Sequence, residues 1–226
     1  MTMRGLFVTG TDTGIGKTFT SCALLAALRA RGLRAVGMKP VASGCHATTA
    51  GLRNVDAEAL IAASDPAPVY ADCNPFAFAE PIAPHIAAQL RGEEITLDPL
   101  RSAYARLAGA SDRVVVEGVG GWAVPLSDSL MLSDLVRALQ LPVILVVGLR
   151  LGCLNHALLS TRAIVDDGCV LAGWIANRID PLMEYTDANL ATLRSRIDAP
   201  LLGVLEHAPG ATPEQAARAL DMSALQ

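Results

Sequence analysis

The sequence predicts a three-layer α/β protein in which helices cover both faces of a parallel β-sheet. Short apolar runs alternate along the chain with segments of helical periodicity, which is the pattern of strands that are buried on both sides. Several of these runs end directly at a polar or glycine residue, as at Lys39, Glu117, Gly148 and Asn177. Because the carboxyl ends of parallel strands meet at one edge, these four residues should share the edge where ligands bind.

The elements are assigned from apolar runs, helical spacing and the glycines and prolines that interrupt them. Strands are predicted at 6–9, 35–39, 113–117, 143–147, 171–176 and 201–205. Helices are predicted at 17–31, 56–63, 85–90, 99–107, 133–139, 155–166 and 185–196, with a short one from Pro213. Residues 45–54 are expected to form a loop, and the five prolines of 64–84 indicate an irregular excursion. We expect residues 1–226 to be a single domain.

The composition is that of a globular protein with a sizeable core. Of 226 residues, 52% are hydrophobic and 18% are charged, and the formal net charge of −4 argues against a nucleic-acid binder, which would present a basic face. The five cysteines form no C-x-x-C pair, so neither a disulfide framework nor a zinc site is indicated. No membrane-spanning run or signal peptide is visible. A cytoplasmic protein without a membrane partner is therefore expected.

The first strand leads into a glycine loop with the features of a phosphate-binding P-loop, so the predicted fold is P-loop NTPase-like. Gly14, Ile15, Gly16, Lys17 and Thr18 stand between a strand and a helix, the context that supports this motif. Backbone N–H groups would meet phosphate oxygens, the lysine would reach the terminal phosphates, and the hydroxyl would bind Mg²⁺. The first glycine stands one position earlier than in the usual motif. The alternative is a simple glycine turn.

Three charged residues could complete a nucleotide site. Glu117 ends a strand of three valines, where a carboxylate is costly unless it meets a cation such as Mg²⁺, although it could instead cap the following loop. Asp56 lies at a helix start, a position that the helix dipole alone would favour. Lys39 ends a predicted buried strand and could balance charge during phosphoryl transfer, or lie in solvent.

Two weaker motifs follow later strands. Asn177 and Arg178 begin an Asn-Arg-Ile-Asp string that is similar to the guanine-reading N-K-x-D element, with arginine in place of lysine. This string supports a nucleotide site but does not identify the base. Residues 152–155 precede a helix and could offer N–H groups to an anion such as a carboxylate, or form an ordinary glycine turn with an asparagine cap.

Together these motifs resemble those of the dethiobiotin synthetases, a family of ATP-dependent enzymes of biotin biosynthesis. The resemblance rests on VTGTDT at 8–13, GKT at 16–18, KPVASG at 39–44, GLRNVD at 51–56, AEP at 79–81, VEGVGGW at 116–122, PLSD at 125–128, LGCLNHA at 151–157 and AGWIAN at 172–177. The KPVASG and VEGVGGW strings are far more specific than a P-loop alone. P-loops of this family carry the same displaced glycine.

The resemblance implies a cyclo-ligase that converts 7,8-diaminononanoate, CO₂ and MgATP into dethiobiotin, ADP and phosphate through a carbamate and a carbamic–phosphoric anhydride. It implies that Lys17 and Lys39 are catalytic, and that Thr18, Asp56 and Glu117 bind Mg²⁺. The implied nucleotide-binding residues are Gly14, Ile15, Gly16, Lys17, Thr18, Asp56, Glu117, Gly118, Val119, Gly120, Asn177 and Arg178. The implied substrate-binding residues are Thr13, Ser43, Gly152, Cys153, Leu154 and Asn155. In this family the last four act across a homodimer interface, so a homodimer is implied.

The sequence departs from the family at two places. Residues 205–208 (LEHA) stand where many members carry an Ile-Pro-aromatic string beside the adenine, and Asn189 falls where some carry a tyrosine at the substrate carboxylate. Two other functions remain as alternatives. A partitioning-type ATPase switch usually has an additional lysine early in the P-loop, which positions 10–15 lack. A GTPase-like module is supported only by residues 177–180.

Overall fold

The computed structural model describes residues 4–225, and its central feature is a six-stranded parallel sheet. The strands in chain order are β1 (Gly5–Gly10), β2 (Ala35–Met38), β3 (Val41–Ala42), β4 (His46–Thr48), β5 (Gly51–Arg53), β6 (Phe76–Ala77), β7 (Arg113–Glu117), β8 (Val143–Gly148), β9 (Leu171–Asn177) and β10 (Leu201–Leu205). The large sheet has the order β10-β9-β8-β1-β7-β2. The predicted parallel α/β fold is thus confirmed.

Helices connect the strands of the large sheet and cover it. They are α1 (Lys17–Ala30), α2 (Val55–Ala63), α3 (Tyr70–Cys73), α4 (Pro84–Leu90), α5 (Leu97–Ala110), α6 (Leu132–Leu139), α7 (Cys153–Asp166), α8 (Thr186–Arg196) and α9 (Pro213–Ala217), followed by a 3₁₀ turn at Ser223–Leu225. The larger predicted helices are confirmed with small shifts at their ends. Across residues 4–225, the helices all lack the combination of length and apolar character that crossing a membrane requires.

Two apolar layers lie on opposite faces of the large sheet, because successive side chains of a strand point to opposite sides. On β1, Leu6 and Val8 join one layer with the leucines of α1 and Leu60 of α2. Phe7 joins the other layer, with the apolar faces of α5, α6, α7 and α8. The strands are therefore buried on both faces, which explains why their sequences are continuously apolar.

Two predictions between β2 and α4 were wrong. Residues 45–54 are not a loop, because β4 and β5 form an antiparallel hairpin in which His46 pairs with Arg53. The segment 64–84 is not wholly irregular, because it contains α3 and a short strand, β6, that pairs with β3. These elements are two to four residues long, and β4 is exposed throughout. No buried stripe marks them in the sequence, so hydrophobic periodicity could not detect them.

The five cysteines are free thiols. Cys22, Cys45, Cys73 and Cys153 are buried, and Cys169 is half-buried. Burial raises the pKa of the Cys22 and Cys73 thiols to about 12. Both thiols are therefore neutral packing groups, since the thiolate is the nucleophilic form of cysteine.

Candidate active site

The glycine loop after β1 leaves the first turn of α1 open at the carboxyl edge of the sheet. Gly14 and Gly16 have φ angles of 73° and 83°, in the left-handed region that glycine adopts at no steric cost. Gly16 is the N-cap of α1, and no side chain caps the helix. The N–H groups of the first turn, at the positive end of the helix dipole, are thus left for an anionic ligand.

Lys17 bends back over this loop and is almost completely buried. Its Nζ donates a hydrogen bond to the main-chain oxygen of Asp12 at 2.8 Å, and the residue is 7% exposed. Burial and the charge of Lys39 lower the pKa of Lys17 to about 8, against the attraction of Glu117 and Asp56. An additional anion beside the ammonium group would favour its charged form, as the phosphates of a nucleotide would.

Lys39 is the centre of a buried ion cluster. Its Nζ donates to Glu117 Oε1 at 2.6 Å, to Asp56 Oδ2 at 2.9 Å and to the Gly118 carbonyl at 3.2 Å. Neighbouring strands position the Lys39–Glu117 pair, because Lys39 follows β2, Glu117 ends β7, and Met38 pairs with Val116. Burial acts to lower the pKa of Lys39, but the charges of Glu117 and Asp56 prevail and raise it. The lysine is therefore held as a charged ammonium group.

The side chains of Thr18, Asp56 and Glu117 converge, and the family resemblance implies that these three bind Mg²⁺. Thr18 Oγ1 donates to Glu117 Oε1 at 2.9 Å. The buried Glu117 Oε2 accepts no hydrogen bond from any described residue. Burial acts to raise the pKa of Asp56, but Lys39 and Thr18 outweigh it and lower that pKa. A hydroxyl and two carboxylates, one with a free oxygen, suit Mg²⁺, which binds few protein ligands together with phosphate oxygens.

The side chains of this site do not form a complete metal centre by themselves. Among residues 4–225, no group of three or more His, Cys, Asp and Glu side chains has the arrangement of a metal centre. Phosphate oxygens would therefore have to complete the coordination, which agrees with a site for a metal–nucleotide complex rather than for a resident metal.

A cavity of about 840 Å³ joins these groups and has two chemically different walls. The polar wall includes Thr13, Gly14, Gly16, Lys17, Thr18, Lys39, Ser43, Asp56, Glu117 and Gly120, all predicted from the sequence, and the predicted Val119 also lines the cavity. The apolar wall consists of Ala42, Pro81, Ile82, Ala83, Pro84 and Val124, which the sequence did not reveal as site residues. The prolines of this wall marked only an irregular segment. The cavity can hold a charged group and an alkyl chain side by side.

Asn177 and Arg178 lie at the same edge but do not line the cavity. The Asn177 Nδ2 donates to the Ile15 carbonyl at 2.8 Å, so the amide rests against the P-loop. Arg178 forms ion pairs with Asp187 and Glu206. The amide oxygen of Asn177 is therefore left to accept a hydrogen bond from a base, whereas the Arg178 guanidinium group is already paired with two carboxylates.

Residues 152–155 form the start of α7, outside the cavity lining of this chain. Gly152 is the N-cap with φ 94°, Cys153 is buried, and Asn155 is exposed. The preceding Arg150 forms an ion pair with Asp12 of the P-loop. No local pattern could predict this pair, because the two residues are 138 positions apart. The start of α7 is thus connected to the P-loop, while Gly152 and Asn155 are exposed to solvent.

Asn54, which was not predicted as a site residue, lines the cavity and caps α2. Its side-chain oxygen accepts from the N–H groups of Asp56 and Ala57 at 3.1 and 3.3 Å. Asparagine before a helix start is a recognised capping signal, so this role could have been read from the sequence. The cap fixes the first turn of α2 and with it the backbone of Asp56.

The fold and the site together define a P-loop nucleotide-binding protein: a glycine loop, a buried lysine and a strand-end carboxylate meet at the carboxyl edge of a parallel sheet. A family model described as an AAA domain matches residues 4–215. The signal recognition particle receptor FtsY from Elizabethkingia anophelis shares this fold, with a TM-score of 0.53 and 17% identity. That alignment covers 95% of this chain and 59% of FtsY.

Curated relatives identify the family. A protein of Xylella fastidiosa (strain 9a5c) is 58% identical over 209 residues, which cover 92% of each chain. A protein of Xanthomonas euvesicatoria pv. vesicatoria (strain 85-10) is 57% identical over 216 residues, which cover 96% of each chain. Both relatives are named ATP-dependent dethiobiotin synthetase BioD. The chain belongs to the dethiobiotin synthetase family.

Proposed function

We propose that this protein is a dethiobiotin synthase, a MgATP-dependent cyclo-ligase that closes 7,8-diaminononanoate and CO₂ into the cyclic urea of dethiobiotin. The observation that carries the proposal is the cavity in which a P-loop lysine, Lys17, and a second buried lysine, Lys39, lie beside two carboxylates. A nucleotide-binding switch needs only the first of these lysines. The second cation suits an additional anion, such as a carbamate, next to the terminal phosphate.

The reaction proceeds in three steps, none of which needs a covalent bond to the protein. One amine of the diamine attacks CO₂ and loses a proton, which gives a carbamate. A carbamate oxygen attacks the γ-phosphorus of ATP, and ADP leaves with the electrons of the broken P–O bond. The second amine then attacks the carbonyl of the mixed anhydride, phosphate leaves, and loss of a proton completes the ring. The protein contributes positioning and charge stabilisation.

The polar wall of the cavity supplies these contributions. The first-turn N–H groups of α1 and the Lys17 ammonium group would bind the phosphates. Thr18, Asp56 and Glu117 would hold Mg²⁺, which when bound neutralises phosphate charge. Lys39 is kept charged by its two carboxylate partners, so it can stabilise the carbamate and the oxygens of the transferring phosphoryl group. Its bonds to Asp56 and Glu117 fix its position before the substrate arrives.

The remaining cavity residues suit the other parts of the diamine. Residues 81–84 and Val124 offer an apolar surface for its methylene chain, and Thr13 and Ser43 of the polar wall would contact its reacting nitrogens. Residues 152–155 of a second copy would bind the distant carboxylate, in a homodimer. Asn177 would accept a hydrogen bond from adenine through its free amide oxygen.

The test is diamine-dependent ADP release. Purified protein with MgATP and bicarbonate should release little ADP until 7,8-diaminononanoate is added, and mass spectrometry should then detect dethiobiotin in equal amount. If the protein binds ATP but the diamine neither accelerates ADP release nor yields the cyclic urea, the ligase proposal is wrong.

A further inference from the structure

The hydroxyl of Tyr70, on α3, lies between the two chain segments that carry Lys39 and Asp56. It accepts a hydrogen bond from the Asn54 N–H at 2.8 Å and donates one to Asn74 Oδ1 at 3.0 Å. Burial raises the pKa of Tyr70, so the hydroxyl keeps the proton that it donates. Nothing in the proposed reaction uses this tyrosine directly, and it does not line the cavity.

Asn74 connects this hydroxyl to the backbone of Lys39. Its Nδ2 donates to the Lys39 carbonyl at 2.7 Å and to the Phe76 carbonyl at 3.1 Å. Because both of these partners are acceptors, the amide nitrogen must face them and the amide oxygen must face Tyr70. The Lys39 N–H also donates to the Cys73 carbonyl at 2.7 Å. Cys73 and Asn74, at the C-terminal end of α3, therefore bind both the N–H and the carbonyl of Lys39.

Asn54 connects the same hydroxyl to Asp56. Its N–H donates to Tyr70, and its side chain caps α2 at Asp56 and Ala57. Asn54 and Asn74 are 5% and 3% exposed, so neither can exchange its partners for bulk water without cost. On its other side, the Tyr70 ring is covered by the Arg53 guanidinium group at 4.1 Å, which keeps the ring in place independently of the hydroxyl.

We propose that Tyr70 is a positioning residue whose hydroxyl sets the distance between Lys39 and Asp56. It binds the Asn54 N–H beside Asp56 directly, and it binds the Lys39 carbonyl through the side chain of Asn74. Removing only the hydroxyl leaves the ring and its stacking on Arg53, but it leaves Asn74 Oδ1 and the Asn54 N–H without their shared partner. The Lys39 ammonium group then loses its fixed distance to Asp56. The effect on turnover rests on the proposed function, whereas the effect on Lys39 itself does not.

The matched experiment compares Tyr70→Phe with Tyr104→Phe. Tyr104 is also half-buried, but it lies on α5 and packs against Gly5 at the opposite end of the sheet. Tyr70→Phe should lower kcat for diamine-dependent ADP release by about 10- to 100-fold, the range typical of residues that orient metal-site and catalytic ligands. The KM for ATP should change less than about twofold, since Lys17 and the P-loop are untouched. Tyr104→Phe should leave both constants unchanged.

A second readout observes Lys39 without any turnover. The chain contains only two lysines, Lys17 and Lys39, so protein labelled with ¹⁵N-lysine has two side-chain ammonium signals, which Lys39→Gln assigns. The Lys39 signal should shift or broaden in nucleotide-free Tyr70→Phe and stay in place in Tyr104→Phe.

Three results would overturn the proposal. One is an unchanged Lys39 signal in Tyr70→Phe, whatever the activity. Another is equal kcat in the two phenylalanine variants. The third is a lower melting temperature of Tyr70→Phe together with a KM for ATP that rises by the same factor by which kcat falls, since that pattern indicates a structural role alone. A wild-type protein without diamine-dependent turnover would instead contradict the proposed function, and the Lys39 signal would still decide the positioning role.

Discussion

The two halves of the sheet edge hold their polar side chains in different ways. At the ends of β2 and β7, Lys39 and Glu117 are 3% and 0% exposed and are joined by a 2.6 Å ion pair. Beyond the ends of β9 and β10, Arg178 pairs with Glu206 at 3.2 Å, and the Glu206 side chain is 67% exposed. Charges interact strongly where water is excluded and weakly where it is not.

This difference predicts how strongly each half should respond to substitution. In the buried half, removing one charge leaves its partner buried and unpaired, which is costly. In the exposed half, water replaces a lost partner at little cost. We therefore expect substitutions to have large effects on the buried half and progressively smaller ones toward the exposed half, as the following predictions specify.

The largest effect is expected for Lys39→Gln. Turnover should fall by about 100- to 1000-fold, the loss typical when one transition-state charge stabiliser is removed. The affinity for ATP should fall much less, because Lys17 still binds the phosphates. Steady-state kinetics and direct ATP titration measure the two quantities. The matched variant is Lys17→Gln, the only other lysine substitution in this chain, which should weaken ATP binding most. Equal loss of turnover and ATP affinity in Lys39→Gln would show that Lys39 only binds the nucleotide.

Glu117→Gln should act mainly on the metal. An amide removes the negative charge and the free acceptor at Oε2 that suit a cation, so half-maximal turnover should need about 10- to 100-fold more Mg²⁺. Glu94→Gln, at an exposed position, is the control and should leave the Mg²⁺ titration unchanged. A wild-type titration curve for Glu117→Gln would exclude Glu117 from the metal site.

The buried half could be predicted from the sequence where a local pattern carries the information. The P-loop is contiguous, and Glu117 is exceptional because it follows three buried valines on β7. The common location of Lys39, Glu117 and Asn177 required only the rule that parallel strands end at one edge. Residue types and topology were sufficient for these positions, because burial on both faces leaves a continuous apolar signal in each strand.

Contacts between distant segments could not be predicted in the same way. The sequence contains no pattern that brings Tyr70 to Asn54 or Asp12 to Arg150, since such pairs arise only when loops pack together. The cavity wall at residues 81–84 was equally hidden, because prolines indicate irregular backbone but not what that backbone faces. Asn54 is the exception, since its capping role has a local signature.

A smaller effect is expected for Asn177→Ala, at the boundary of the two halves. Its Nδ2 is engaged by the Ile15 carbonyl, so the amide oxygen is left to accept from the 6-amino group of adenine, a group that guanine lacks. The ratio of kcat/KM for ATP to that for GTP should therefore exceed one in the wild type. It should fall by about tenfold in Asn177→Ala, the value of one net hydrogen bond. An unchanged ratio would show that the base is read elsewhere.

The smallest effect is expected for Arg178→Gln. Its partners Asp187 and Glu206 have side chains that are 87% and 67% exposed, and such pairs contribute about 0–1 kcal/mol to stability. The free energy of unfolding should change within that range in denaturant titrations, and the KM for ATP should stay within about twofold of the wild type. A KM for ATP raised beyond this limit would place the guanidinium group on the nucleotide. In that case the nucleotide site would extend beyond Asn177 into the exposed half of the edge, because Arg178 would also contact ATP.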